Sequence, residues 1–284
     1  MIDYEDEIRR AVEGDQLTVS HEWEGFPGQA FGGFAAAAVL AAAASRTEKP
    51  RPLSLFARFQ RPIPVGKAVT LALHAERRGR TVDAMAATLL DGDRELARFT
   101  AAFGREGESP FRSQAVPSMT PLRQPTPVWR FLEEIGLEAP PIMRRVGYRG
   151  EVLEGLPDVD GPDWHLRNQW PATASDDLAI RAAMALMPID VFVAPAAIRA
   201  NGVDLNEPWP VMMPSLDLTA WFYAPESPSA DADEQSPTGW LSSRTSVPVS
   251  NAAYAVGRTQ VWSGDRFVAE GMSQVALIPA PPPP

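Results

Sequence analysis

The chain has 284 residues, 45% of them hydrophobic and 22% charged, a composition that suits a globular protein with one large domain or two small ones. It contains no cysteine, which excludes a disulfide framework, a thiolate zinc site and a cysteine nucleophile. The net charge of −10 argues against a nucleic-acid partner, which would require a basic face, but leaves room for an anionic ligand held by a local arginine cluster.

The acidic start MIDYEDEIRR is unlike the basic start of a signal peptide. The apolar run after it falls short of the roughly 20 residues that cross a bilayer, so no membrane span and a cytoplasmic location are expected. That run sits in QAFGGFAAAAVLAAAA, residues 29–44. Alanine is the best helix former and adds almost no bulk, so Phe34 to Ser45 is expected as a helix that other elements approach from several sides. Gly32 and Gly33 would let a ligand come close to the unpaired N–H groups of its first turn, Phe34 included. Two readings stand: an anion or oxyanion site, or an ordinary buried helix preceded by a glycine turn.

Strands follow. VTLALHA places Val69, Leu71, Leu73 and Ala75 on one face, and ELARFTAAF does the same with Ala97, Phe99, Ala101 and Phe103, the two-residue period of half-buried strands. Between them lie a further strand and a turn at Asp91-Gly92. Residues 105–128 are rich in proline, serine and charge without periodicity and read as a linker. In the second half DDLAIRAAMALM is expected as a helix over 176–187, with Ser175 as N-cap, Asp176 and Asp177 in the first turn and Pro188 at its end.

The two halves echo each other. SLFARFQRP at 54–62 returns as SLDLTAWFYAP at 215–225, offset by 163 residues, and GDRELA at 92–97 returns as GDRFVA at 264–269, offset by 172. The additional nine residues fit within the polar stretch ESPSADADEQSPTG. Two copies of one helix-plus-sheet unit are therefore expected.

Together with FQRPIPVGKAVTLALHAERRGRTVDAMAATLLDGDRELARFTAAF and GDRFVAEGMSQVAL, these stretches resemble the type II acyl-CoA thioesterases and the wider thioesterase-like superfamily, over roughly 20–105 and 165–278. The resemblance implies an α+β double hotdog, two tandem units each with an antiparallel sheet wrapped around a long central helix. The units fall at 1–104 and 146–278, with a linker over 105–145 and a disordered proline tail over 279–284. It also implies hydrolysis of acyl-CoA to free acid and CoA by an activated water, within fatty acid metabolism, without cofactor or metal. Assembly into a homo-oligomer, a dimer or higher, is part of the same expectation.

The family places an aspartate, a threonine or serine, and a glutamine in the second hotdog. Asp217 in SLDLTAW stands at the aspartate, where a carboxylate on an apolar strand is either the base that polarises water or a hydrogen-bonded structural group. Gln274 in MSQVAL stands at the glutamine, with one residue more than usual before it, which points to a bulge or a shifted register. A gap-free extension of the family pattern puts Pro248 at the hydroxyl position. Ser250 is the candidate replacement and Ser246 the alternative, since alternation would place both on that strand face, while Thr219 shares a face with Asp217. Backbone N–H groups of Gly33 and Phe34, reached past Gly32, are implied as the oxyanion site. Arg58, Arg61 and Arg80 are candidates for CoA phosphates, solubility being their other reading. His21, His74 and His165 have no metal-binding spacing and no partner serine signature. Because proline cannot donate a proton, a second function stays open: a non-catalytic acyl-CoA or fatty-acyl binding protein of the same fold.

Overall fold

Strands that are apolar at every second residue have one face to bury, and a helix of alanines is a layer that can lie against it without holding it away. In the computed structural model the described residues are 3–105, 122, 126–134, 138–150, 166–203, 211–223, 239–251 and 253–279. The first half runs α1 (Tyr4–Arg10), β1 (Val12–Glu13), β2 (Gln16–Thr18), a 3-10 turn (His21–Trp23), β3 (Glu24–Phe26), β4 (Gln29–Ala30) and α2 (Gly32–Ala44). A meander of β5 (Arg51–Phe59), β6 (Ala68–Arg78), β7 (Val82–Asp91) and β8 (Arg94–Gly104) follows. Then come β9 (Thr126–Pro127), α3 (Val128–Glu134), α4 (Pro141–Val146), β10 (Arg149–Gly150) and β11 (Leu166–Pro171). The second unit continues with α5 (Leu178–Val191), α6 (Val193–Ala200), β12 (Val211–Met212), β13 (Ser215–Phe222), β14 (Trp240–Ser250), β15 (Tyr254–Ser263), β16 (Arg266–Ala276) and β17 (Ile278–Pro279).

Among the described residues thirteen strands form one sheet in the order β1-β2-β6-β7-β8-β5-β13-β16-β15-β14-β11-β10-β9. The two halves join where β5 pairs antiparallel with β13. Helices α2 and α5 pack against each other and against the sheet. Ala35 to Ala38 and Leu40 of α2 expose no surface, which is why this helix is built of alanine: sheet and neighbouring helix both come close to its axis. The sheet thus has an inner face toward the helices, carrying Leu218, Ala220 and Phe222 of β13 and Ala269, Gly271 and Val275 of β16, and an outer face away from them.

The duplication is exact to the residue in three strands. A shift of 172 carries the bounds of β6, β7 and β8 onto those of β14, β15 and β16. Across the junction the shift is 163, and Phe56 pairs with Thr219, its own counterpart at that shift. The pseudo-twofold axis therefore passes between Phe56 and Thr219, and the pair Arg58↔Asp217 is mirrored by Ser54↔Trp221. The fold is the expected α+β double hotdog.

Several local expectations change. Pro188 does not end the second helix, for α5 runs through it to Val191. Proline forfeits one backbone bond at about 3 kcal/mol, and the complete burial of Met187 and Ile189 around it outweighs the loss. The N-cap is Asp177, whose carboxylate accepts from the Ala179 and Ile180 N–H groups at 2.7 and 3.4 Å, while Ser175 accepts from the Asp177 N–H one step earlier. The described part of the expected linker carries β9, α3 and α4, and Pro279 of the expected tail pairs with Val211. Residues 106–121, the insertion through 238, His165 and residues 280–284 lie outside the described residues. The segment Leu178–Ala200 is long and apolar enough to cross a membrane, yet 72% of its apolar window is buried inside the fold.

Candidate active site

Asp217 is placed by a bulge. Ser215 of β13 pairs with Val275 and Asp217 pairs with Gln274, so Leu216 is an extra residue on this strand. Ser215 follows Val275 to the inner face. Asp217 follows Gln274 to the outer face, where Arg58 of β5 stands on its other side. Arg58, Asp217 and Gln274 thus form a row across three adjacent strands. The Gln274 N–H donates to Asp217 Oδ1 at 3.3 Å. Partial burial raises the Asp217 carboxyl above its ordinary range, against the opposing pull of the Gln274 N–H and the Arg58 charge. A half-buried carboxylate with a raised pKa is a better proton acceptor than an exposed one.

The row continues through Val256 of β15 to Val249 of β14. An apolar side chain thus occupies the level at which a hydroxyl was expected. Between Ser246↔Arg258 and Val249↔Val256 two residues, Val247 and Pro248, face the single Gly257; proline has no N–H for the ladder and sits in the bulge. The bulge breaks the alternation that would have put Ser246 and Ser250 on one face. Ser246 stays on the outer face but lies three strands from β13, roughly 14 Å at ordinary strand spacing. Ser250 pairs with Ala255 on the inner side, where Asn201 Nδ2 donates to its Oγ at 2.9 Å. The expectation that Ser250 joins Asp217 on one face is corrected on that ground. Thr219 does share the outer face with Asp217, two residues along the same strand.

At the start of α2 the Gly33 N–H donates to Oδ2 of Asp190 at 2.7 Å. It is therefore already taken, and the oxyanion expectation is corrected for Gly33: a side chain of the other hotdog meets the first turn. A Cβ on Gly33 would lie 2.7 Å from the Phe31 ring and 3.2 Å from Asp190 Cβ, and one on Gly32 would lie 3.0 Å from Asp190 Oδ2. The glycine pair serves close approach of protein, not ligand. Phe34 is buried and its ring stacks on Trp23 at 4.1 Å.

The family model of the acyl-CoA thioesterase N-terminal domain matches residues 19–104, and that of the C-terminal domain matches residues 116–278. The chain belongs to the acyl-CoA thioesterase family. Similar solved structures include a protein of unknown function with a hot dog fold from Alicyclobacillus acidocaldarius, 21% identical over 99% of each chain with a TM-score of 0.71. An acyl-CoA thioesterase II, TesB2, from Mycobacterium marinum is 15% identical over 98% of each chain with a TM-score of 0.69. The tesB protein of Mycobacterium avium subs paratuberculosis is 17% identical over 98% of each chain with a TM-score of 0.67. At these identities the likeness establishes the hotdog fold. No curated protein matches the chain in sequence.

Within this thioesterase-family fold the three candidate arginines are dispersed. Arg58 stands beside Asp217, Arg61 Nη1 donates to the Glu95 carbonyl at 2.6 Å, and Arg80 is exposed in the turn between β6 and β7. A basic cleft lined by Arg46, Lys49, Arg78 and Arg105 lies at the far end of α2 from Gly33. Inside it Lys49 Nζ bonds Asp83 Oδ1 at 2.8 Å.

Two inward groups escaped the sequence reading. Asp190 of α5, only 4% exposed, accepts from Gly33 with one oxygen and from the Ser215 hydroxyl with the other, at 2.6 Å. Burial pushes its carboxyl up to about 6, while the Ser215 and Gly33 donors pull it down. A lone acid in the apolar stretch LMPIDVFVA was the available signal. Ser273 of β16 is buried and donates to the Asp217 carbonyl at 2.8 Å, steadying the backbone that carries Asp217.

Proposed function

We propose that this thioesterase-family chain hydrolyses acyl-CoA to a free acid and CoA, with Asp217 as general base. The observation that carries the reading is the row Arg58, Asp217 and Gln274, which holds a half-buried carboxylate with a raised pKa on the outer sheet face. In the reaction Asp217 takes a proton from water and the resulting hydroxide adds to the thioester carbonyl carbon. The tetrahedral adduct then collapses, the carbon–sulfur bond breaks, and the proton held by Asp217 passes to the departing CoA thiolate. The Gln274 side-chain amide orients the water or the carbonyl oxygen. Thr219 supplies the nearest hydroxyl on that face, and Arg58 faces the anionic part of the substrate.

The same face carries Phe56, Trp221 and Met272, which are 41%, 42% and 36% exposed. Water near the thioester must be limited for the base to act on one molecule of it. We therefore assign this face to a homo-oligomer in which a second copy covers the apolar residues around the row. The working location is the cytoplasm, which fractionation tests.

Thiol release measured across acyl-CoAs of increasing chain length tests the activity. Hydrolysis of one length class, abolished in Asp217→Asn, is the expected result. A second reading rests on Val249 standing at the level of the row where a hydroxyl was expected: an acyl-CoA or fatty-acyl binding protein. Tight binding of acyl-CoA without thiol release from any chain length would establish that reading instead.

A further inference from the structure

We infer that Asp190 is a positioning residue: by holding Ser215 inward, it fixes the bulge that turns Asp217 to the outer face of the sheet. The inference rests on the reading of Asp217 as the base. Its structural basis begins with the helices. Asp190 lies in the last turn of α5, and its neighbour Ile189 presses on the sheet so closely that a Cβ on Gly271 would fall 2.7 Å from Ile189 Cγ2. Oδ2 of Asp190 is tied to the Gly33 N–H at the start of α2. The carboxylate is therefore anchored to both central helices before it meets the strand.

Its other oxygen accepts from the Ser215 hydroxyl at 2.6 Å. Ser215 opens β13 and pairs with Val275; Asp217 pairs with the adjacent Gln274, and Leu216 is the residue in excess. Without the bulge, Ser215 and Asp217 would share a face, because strand side chains alternate. Asp217 would then turn toward the helices and toward Asp190, setting two carboxylates together in the core and leaving Arg58 and the Gln274 side chain behind. Ser215 held inward and Asp217 held outward are thus two ends of one arrangement. The link spans the repeats, since Gly33 belongs to the first hotdog and Asp190, Ser215 and Asp217 to the second.

The test uses Ser215→Ala, which removes one oxygen and leaves the backbone free to keep its fold, with Ser215→Thr as the conservative rescue and Asp217→Asn as the reference. Steady-state thiol release and thermal midpoint are measured on the full chain. A misplacement of about 1 Å in a catalytic group lowers rate by about 10²-fold. Ser215→Ala is expected to lower kcat by 10-fold or more on that scale, with KM within about two-fold and the thermal midpoint close to wild type. Ser215→Thr is expected to restore kcat. Asp190→Asn combined with Ser215→Ala is expected to be no slower than the slower single variant, because both break one link. Wild-type kcat in Ser215→Ala, alongside an inactive Asp217→Asn, would overturn the inference and leave the catalytic reading standing. A wild type that releases no thiol defeats the catalytic reading instead. Amide hydrogen exchange over 215–218 then decides the positioning role without turnover. Faster exchange there in Ser215→Ala, with the other strands unchanged, supports it; unchanged exchange refutes it.

Discussion

Asp217 and Asp190 are both raised by burial but do different work. Asp217 is half-buried, open to water and flanked by Arg58, so it can exchange a proton; Asp190 is enclosed by the Gly33 and Ser215 donors. Asp217→Asn is expected to abolish thiol release while acyl-CoA affinity stays within about three-fold, because in the proposed reaction the carboxylate acts on the attacking water in the transition state. Calorimetric binding beside the assay checks both halves. As pH falls through the raised pKa of Asp217 the base is protonated, so the acid limb of kcat/KM should lie above the ordinary aspartate value of about 3.9. Asp190 gives the opposite lesson for stability. Its folded pKa of about 6 exceeds the unfolded value, so the native state keeps a proton that the unfolded chain has lost, and stability declines as pH rises through the window from about 4 to 6. Two pKa units correspond to about 3 kcal/mol. Urea unfolding at pH 4.5 and 7 should reveal part of that decline in the wild type and little of it in Asp190→Asn.

Among the elements, α2 and the two bulges govern the site. Gly33→Ala would press a methyl group into the Phe31 ring at 2.7 Å, and such overpacking costs about 1–3 kcal/mol. The expected result is a lower denaturant midpoint with an unchanged slope. The alanine helix and the meander were legible because helix propensity and the two-residue period are local signals. The bulges at Leu216 and at Val247-Pro248 were not legible, since each is a relation between paired strands, and a shift of one residue reverses a side chain's face. That is why Ser250, equivalent to Ser246 by counting, lies on the helix side. The continuation of α5 through Pro188 escaped for a similar reason: local proline chemistry was overruled by the burial of its neighbours.

For the whole molecule, the junction of β5 with β13 makes one continuous sheet whose outer face carries Phe56, Trp221 and Met272 near the pseudo-twofold axis. A patch of that kind on a sheet centre is a natural place for a second copy. Light scattering at micromolar concentration is expected to give at least twice the 30.9 kDa chain mass. Trp221→Glu should shift the mass toward the monomer and slow thiol release in parallel; a wild type of single-chain mass would refute the assembly.

What the sequence determined by itself was the duplication, the helix-and-meander plan and the candidacy of Asp217 and Gln274, because repeat offsets and residue type are written along the chain. The shift of 172 read from GDRELA and GDRFVA is the shift that superposes three strands, and Asp217 stands beside Gln274 across a strand pair. Only the tertiary structure decided which side of the sheet each side chain faces and what meets the start of α2. Those outcomes depend on groups brought together across the fold: Asp190 reaches Gly33 across 157 positions of chain. Such a contact is set by how α5 packs on α2, which no window of sequence around either residue contains.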